Sequence, residues 1–346
     1  MTDDVLAPDQ IDGIKRRLTA LMPAVRDDLE ALVRIPSVSL GSFDQQHVED
    51  SANAVAELLR GEGLEVEIVR AGGRPAVIGH RDGPPGSPTV TLYAHHDVQP
   101  PGDPALWDSP AFEPTERNGR LYGRGAADDK AGVMAHVAAL RAFPDGPPVG
   151  VTVFLEGEEE IGSDSLLTIL ERHSEKLRGD AIVLADGGNW DLGQPALTVT
   201  LRGTIRVVVT VRTLDHSVHS GMFGGAVPDA ITTLIRLIAT LHDAEGNVTV
   251  EGLKSGEAVE LHYSEERLRA ESGLLDGVDL IGTGSILTRL WNKPALTTIG
   301  FNAPTVETSS NTLVPSASAK LSLRLAPDEV HSFPTRRSSD LRKSVV

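Results

Sequence analysis

Apolar residues recur at helical spacing over the first part of the chain. Ile11, Ile14, Leu18, Leu21, Val25, Leu29 and Leu32 mark one face of a helix from about Gln10 to Arg34. IPSVS ends it, and HVEDSANAVAELLRGEG forms a second helix with Gly61 and Gly63 as stop signals. LEVEIV alternates as a strand does. Three later segments then share one design. TVTLYA ends in His95, His96 and Asp97; VTVFLE runs into Gly157, Glu158, Glu159 and Glu160; AIVLA ends in Asp186. Each is a short unbroken apolar run, the pattern of a strand buried on both faces. The helical patterns AGVMAHVAALRAF and DSLLTILERHSEKL separate them. Strands alternating with helices predict an α/β domain with a mixed, mostly parallel sheet and flanking helices.

Near Leu197 the pattern changes. TVTLRGTIRVVVTVRT is long, alternating and β-rich, VPDAITTLIRLIATLH is an amphipathic helix with Pro228 near its first turn, and ALTTIGF and AKLSLRLAP read as further strands. This predicts a smaller α+β domain inserted after the first. The expected division is 1–197 for the first domain, 198–330 for the second and 331–346 for a tail. Residues 333–341, FPTRRSSDL, match the in-frame translation of a widely used sequencing adapter, so the tail is expected to be non-native.

With 346 residues and 40% hydrophobic content, the chain can bury a large core and fill two domains. A formal net charge of -17 argues against nucleic acid and anionic membranes as partners, and is first of all a solubility feature. Absence of cysteine excludes disulfides, thiolate catalysis and cysteine-type zinc sites, so any metal must be held by His, Asp and Glu. The acidic start MTDDVLAPDQ lacks the apolar stretch of a signal peptide, and no apolar run is long enough to span a bilayer, so a cytoplasmic location is expected.

In open α/β sheets, ligands gather beyond the carboxyl ends of the strands. Here all three apolar strands put a metal-competent side chain at that end. His95 and Asp97, two apart, share one face, and Asp97 can accept the second N–H of the imidazole; the plainer alternative is a strand end followed by a turn aspartate. His96 points the other way and reads as structural. Asp128, in GRLYGRGAADDKAG, precedes a helix beginning near Ala131, where Asp128 or Asp129 would serve equally as N-cap. The glycines there match neither a Walker loop nor GxGxxG. The Glu158–Glu160 run is either favourable charge at a helix start or a pair in which one carboxylate binds metal and its neighbour works on water. His219, in HSVHSGMFGGAVPD, is either a polar loop residue or a catalytic one; no GxSxG elbow supports a serine triad.

HHDVQP, LYGRGAADDKAG, LEGEEEIGS, ADGGNW and VHSGMFGGAVPDA, in that order, resemble the metallopeptidase superfamily of carnosinases, aminoacylase-1, carboxypeptidase G and succinyl-diaminopimelate desuccinylase. DVQP, WDSPAFEP and HSGMFGGAV lean toward its dipeptidase branch. The resemblance implies a zinc-exopeptidase type of fold with a lid and dimerisation domain, a homodimer, a small peptide substrate and two divalent ions, zinc before manganese. It further implies His95 and Asp186 on the first metal, Asp97 orienting His95, Asp128 bridging, Glu160 on the second metal and Glu159 as general base. His219 would reach the intermediate from the lid, typically that of the partner subunit, and Arg324 in SLRLAP would contact the substrate carboxylate. The family's second metal also takes a histidine from a segment after the lid; His331 has no fitting motif around it, so only one site is complete. The implied activity is hydrolysis of dipeptides through a metal-bridged water. The alternatives are an N-acyl amino acid deacylase with the same metal chemistry, and an inactive fragment binding one metal.

Overall fold

A computed structural model describes residues 7–327. The tail at 331–346, with His331 and the adapter-like stretch, lies outside the described residues. The chain divides into two compact units, Met1–Ala196 and Leu197–Val346.

The first unit begins with helices α1 (Pro8–Val33) and α2 (Gln46–Gly61), followed by strands β1 (Glu65–Val69), β2 (Ala76–Arg81) and β3 (Thr89–His95). A small hairpin, β4 (Thr115–Arg117) and β5 (Arg120–Tyr122), precedes α3 (Lys130–Arg141) and β6 (Gly150–Glu156). Helices α4 (Leu166–Arg172) and α5 (Ser174–Leu177) lead to β7 (Ala181–Leu184). The sheet runs β1-β2-β6-β3-β7. β3 pairs in parallel with β6 and with β7, whereas β2 is antiparallel to both β1 and β6. The parallel expectation therefore holds for the half that carries the candidate site. The other half is antiparallel because β1 and β2 are joined by a short loop, which cannot make the crossover that parallel strands need.

Helices cover both faces of the sheet. On one side Val25 and Leu32 of α1, Val55 and Leu59 of α2, and Val133 and Val137 of α3 pack with Val153 and Leu155 of β6. On the other, Ile169 and Leu177 meet Ile78 and Phe154. Each fully buried Val or Leu of this kind contributes roughly 1.5–3 kcal/mol of transfer free energy. β6, the central strand, is buried along its whole length. β7 departs from expectation: its apolar run was read as buried on both faces, yet Ile182 is 63% and Leu184 65% exposed. β7 is the sheet edge and has β3 as its single strand neighbour, so a pattern that fits burial lacks a covering layer among the described residues.

The second unit contains β8 (Gly203–Arg212), β9 (Val218–His219), α6 (Ser220–Phe223), α7 (Ala230–Ala239), α8 (Glu265–Ser272), β10 (Ala295–Asn302), β11 (Thr312–Leu313) and β12 (Ser316–Leu325). β12 lies between β10 and β8, antiparallel to both. Its alternation places Ala317, Ala319 and Leu321 inward, against Ala230 and Leu234 of α7. Pro228 stands one residue before the cap, next to the first turn as expected. Asp229 caps α7 by accepting the Thr232 N–H at 2.8 Å. No helix among the described residues is long and apolar enough to cross a membrane.

Candidate metal centre at the strand tips

The carboxyl ends of β3, β6 and β7 converge in the first unit. His95 closes β3, Glu159 and Glu160 occupy a single 3-10 turn just after β6, and Asp186 follows β7 by two residues. The loop entering α3 adds Asp128 and Asp129. Two groups of ligand atoms within 4.8 Å of one another form among the described residues: His95 with Asp128 and Glu160, and His95 with Asp129 and Asp186. The Nε2 of His95 is 3.0 Å from Asp128 Oδ1 and 4.0 Å from both Asp186 Oδ2 and Glu159 Oε2.

His95 is fully buried, and its other nitrogen is already engaged. Nδ1 donates to the Asp97 carbonyl at 3.0 Å and lies 3.4 Å from Asp97 Oδ1. That leaves Nε2 turned toward the carboxylates. Burial disfavours a charged ring, but Asp97, Asp129 and Asp186 outweigh it and raise the pKa to about 10. Asp97 would itself rise on burial, yet His95 and Ser39 hold it below the usual carboxylate range.

For Asp129, Glu159 and Glu160, His95 opposes the effect of burial without overcoming it. Burial, aided by Asp186, pushes Asp129 up to about 7. Glu159 and Glu160 are both raised, first by burial and then by neighbouring carboxylates. Carboxylates crowded around one imidazole form a donor set that favours a cation, because a divalent charge relieves their mutual repulsion. Histidine nitrogen with carboxylate oxygen suits zinc or manganese. The residues present therefore fit a divalent ion.

The predicted residues separate by unit. His95, Asp97, Asp128, Glu159, Glu160 and Asp186 share the first unit's centre. His219 and Arg324 belong to the second unit. His219 ends β9 and its Nδ1 accepts the Gly221 N–H at 3.1 Å; Arg324 is exposed on β12, opposite Thr204. Asp129, one of the two residues the sequence offered as helix cap, stands at the N-cap position of α3 without a side-chain cap hydrogen bond; its Oδ2 takes the His95 N–H at 3.2 Å, and it joins Asp186 in the second group. Asp128, 64% exposed, joins Glu160. Two adjacent aspartates give no sequence signal for this division, which depends on the turn.

Three neighbours were missed or left open. Glu158 is buried and belongs to neither ligand group. Its Oε1 accepts the Arg74 N–H at 3.0 Å, and its Oε2 accepts from both the Ser165 N–H and hydroxyl. Gly73 leaves room for it, since a Cβ there would stand 2.0 Å from Oε1. Lys130 is fully buried, and Nζ donates to the Leu32 and Ile35 carbonyls at 2.7 Å each, tying the end of α1 to the Asp128–Asp129 turn. Burial lowers it to about 7. Gln99 donates to Glu160.

His96 behaves as a core residue. Nε2 donates to the Pro75 carbonyl at 2.9 Å, while buried Nδ1 has no partner among the described residues. Protonating Nδ1 would bury an unpaired N–H, and burial lowers the pKa from 6.5 to about 4. Between those values the unfolded chain binds more protons, so stability is present above pH 6.5 and is lost as pH falls toward 4. The loss for this group is about 3 kcal/mol. Urea midpoints of metal-free protein at neutral and acidic pH test it. His96→Gln keeps the donor to Pro75 without titrating and should lose correspondingly less; equal acid losses in both proteins would refute the assignment.

Comparison with known proteins identifies the family. The pattern of peptidase family M20/M25/M40 matches residues 91–317. The chain is 39% identical over 302 residues to a cysteinylglycine-S-conjugate dipeptidase of Corynebacterium striatum, covering 85% of this chain and 66% of that protein. It is 30% identical over 335 residues to the β-Ala-His dipeptidase of Rattus norvegicus, covering 91% and 63%. The chain thus spans less than two thirds of the length of these relatives. Among solved structures, human carnosine dipeptidase 1 superposes with a TM-score of 0.76 at 27% identity, covering 96% of this chain and 74% of that one. An M20 family metallo-carboxypeptidase of Sulfolobus solfataricus gives 0.74 at 26%, covering 88% and 72%.

Proposed function

Because the chain belongs to peptidase family M20/M25/M40, we propose that it is a metal-dependent dipeptidase working at the His95 centre. The observation that carries this reading is the pair of ligand groups meeting on one imidazole at the tips of three strands. The dipeptidase names of the bacterial and rat relatives support the substrate class.

A bound divalent ion supplies a polarised carbonyl and a water whose pKa falls from about 15.7 toward 7. The chain's own groups supply the rest. His95, Asp128, Asp129, Asp186 and Glu160 are the holding residues, with Asp97 orienting His95. Glu159 borders the same space and accepts no hydrogen bond from any described side chain. Its raised pKa suits a base that takes a proton from water and returns it to the leaving amine. His219, typically that of the partner subunit by the family resemblance, is the proposed donor for a developing oxyanion; its Nδ1 accepts from Gly221, which leaves Nε2 to donate. Arg324 offers a guanidinium to the substrate carboxylate.

Both ligand groups require the same imidazole, and its Nδ1 is tied to Asp97. One nitrogen binds one ion, so one ion per chain is expected to bind tightly, zinc before manganese. The edge of β8, unpaired among the described residues, and the half-exposed Ile235 of α7 support pairing of the second unit into a homodimer.

Zinc content after gel filtration, with parallel assays on Cys-Gly, β-Ala-His and an N-acetyl amino acid, tests the reading. One zinc and preferential dipeptide cleavage are expected. Preference for the N-acetyl substrate makes the protein a deacylase; one zinc without turnover makes this chain a metal-binding fragment; absence of zinc rejects the centre. Light scattering on the same sample gives a dimer's mass if the second units pair, and a monomer's if they do not.

A further inference from the structure

Glu159 and Glu160 are adjacent, chemically identical and both at the rim of the centre, yet one is grouped with metal ligands and the other is not. Something must distinguish them. The segment Asp97–Val98–Gln99 faces their turn. Val98 forms an isolated bridge with Val38 and donates its N–H to Ser37 at 3.0 Å, so this segment is extended and fixed. In an extended segment residues two apart share a face. Asp97 and Gln99 do so here, and both grip the same turn. Asp97 accepts the Glu159 N–H at 3.3 Å and the Glu160 N–H at 3.1 Å, fixing the backbone without choosing between the side chains. Gln99 makes the choice. Its Nε2 donates to the Glu160 carbonyl at 3.1 Å and to Glu160 Oε2 at 2.7 Å, and it makes no hydrogen bond to Glu159.

We propose that Gln99 is a positioning residue that assigns the two glutamates their roles, holding the Glu160 carboxylate as the ion's ligand and leaving Glu159 free as base. With Oε2 held by the amide, the carboxylate is already restrained and would bind the cation at low entropic cost. An unheld Glu160 would have to stop several rotamers on binding, and Glu159 could compete for the position. The inference rests on the metal-centre reading above. It needs no particular substrate.

A double-mutant cycle on the whole chain, read by zinc titration against a chromophoric chelator, tests it without using activity. Glu160→Gln identifies the binding phase that depends on this ligand. Gln99→Leu should weaken that same phase by about 10–100-fold, the range for partners that orient a ligand. Added to Glu160→Gln it should do nothing more, whereas with Glu159→Gln its effect should persist in full or grow. Gln99 is exposed, so the leucine variant keeps its core; Gln99→His, which retains an N–H donor, should recover part of the affinity. An equal loss from Gln99→Leu in the native and Glu160→Gln backgrounds would overturn the proposal, as would no loss at all. Failure of native protein to bind zinc would instead reject the metal centre.

Discussion

His95→Gln is expected to lower zinc affinity by well over about 100-fold, beyond the 10–100-fold typical of losing a group that only orients a ligand. His95 supplies the shared nitrogen of both ligand groups, so its loss disables them together. It also removes the positive partner that opposes the upward shift of Asp129 and Glu159, which should then hold protons more tightly and compete with the ion. Glutamine keeps much of the buried volume, so the fold should survive and circular dichroism should match that of the native chain. Equilibrium dialysis measures the outcome. Near-native affinity in a folded variant would place the ion elsewhere and remove the basis of the enzymatic reading.

The second large effect concerns turnover. In a preparation that cleaves dipeptides, Glu159→Gln should reduce kcat by about 10²–10⁴-fold, the contribution usual for a positioned general base, with zinc content unchanged. Glu160→Gln should behave in the opposite sense, losing metal first and activity as a consequence. The contrast matters because the two side chains are neighbours in one turn. A general disturbance of that turn would impair both properties in both variants. If Glu159→Gln lost zinc as readily as Glu160→Gln, the division of labour between them would be wrong.

Much of this was legible from pattern alone. The apolar runs at β3, β6 and β7 and the helices between them imply an α/β unit whose strand ends carry His95, Glu159, Glu160 and Asp186, because a strand buried in a sheet must end where polar residues begin. The pattern in AKLSLRLAP likewise announced a strand, which the fold realises as β12. The difficulties came where neighbours are chemically alike. Asp128 and Asp129, or the three glutamates of 158–160, are equivalent as letters, and a turn sends each in a different direction. Glu158 became a clasp on Arg74 and Ser165, and Asp129 met the backbone of His95. The exposure of β7 was also hidden, since apolar composition records a tendency to be covered and not the presence of a cover.

Sequence by itself determined the alternation of elements, the absence of any cysteine ligand and the placing of imidazole and carboxylates at strand ends. These follow from local periodicity and residue chemistry, which need no knowledge of distant contacts. Tertiary structure alone decided which carboxylates face His95, that Lys130 secures the aspartate turn to the end of α1, and that Gln99 holds Glu160 but not Glu159. Those outcomes depend on contacts between residues about 30 to 100 positions apart, and only long-range packing, fixed once for the whole unit, brings such groups within hydrogen-bonding distance.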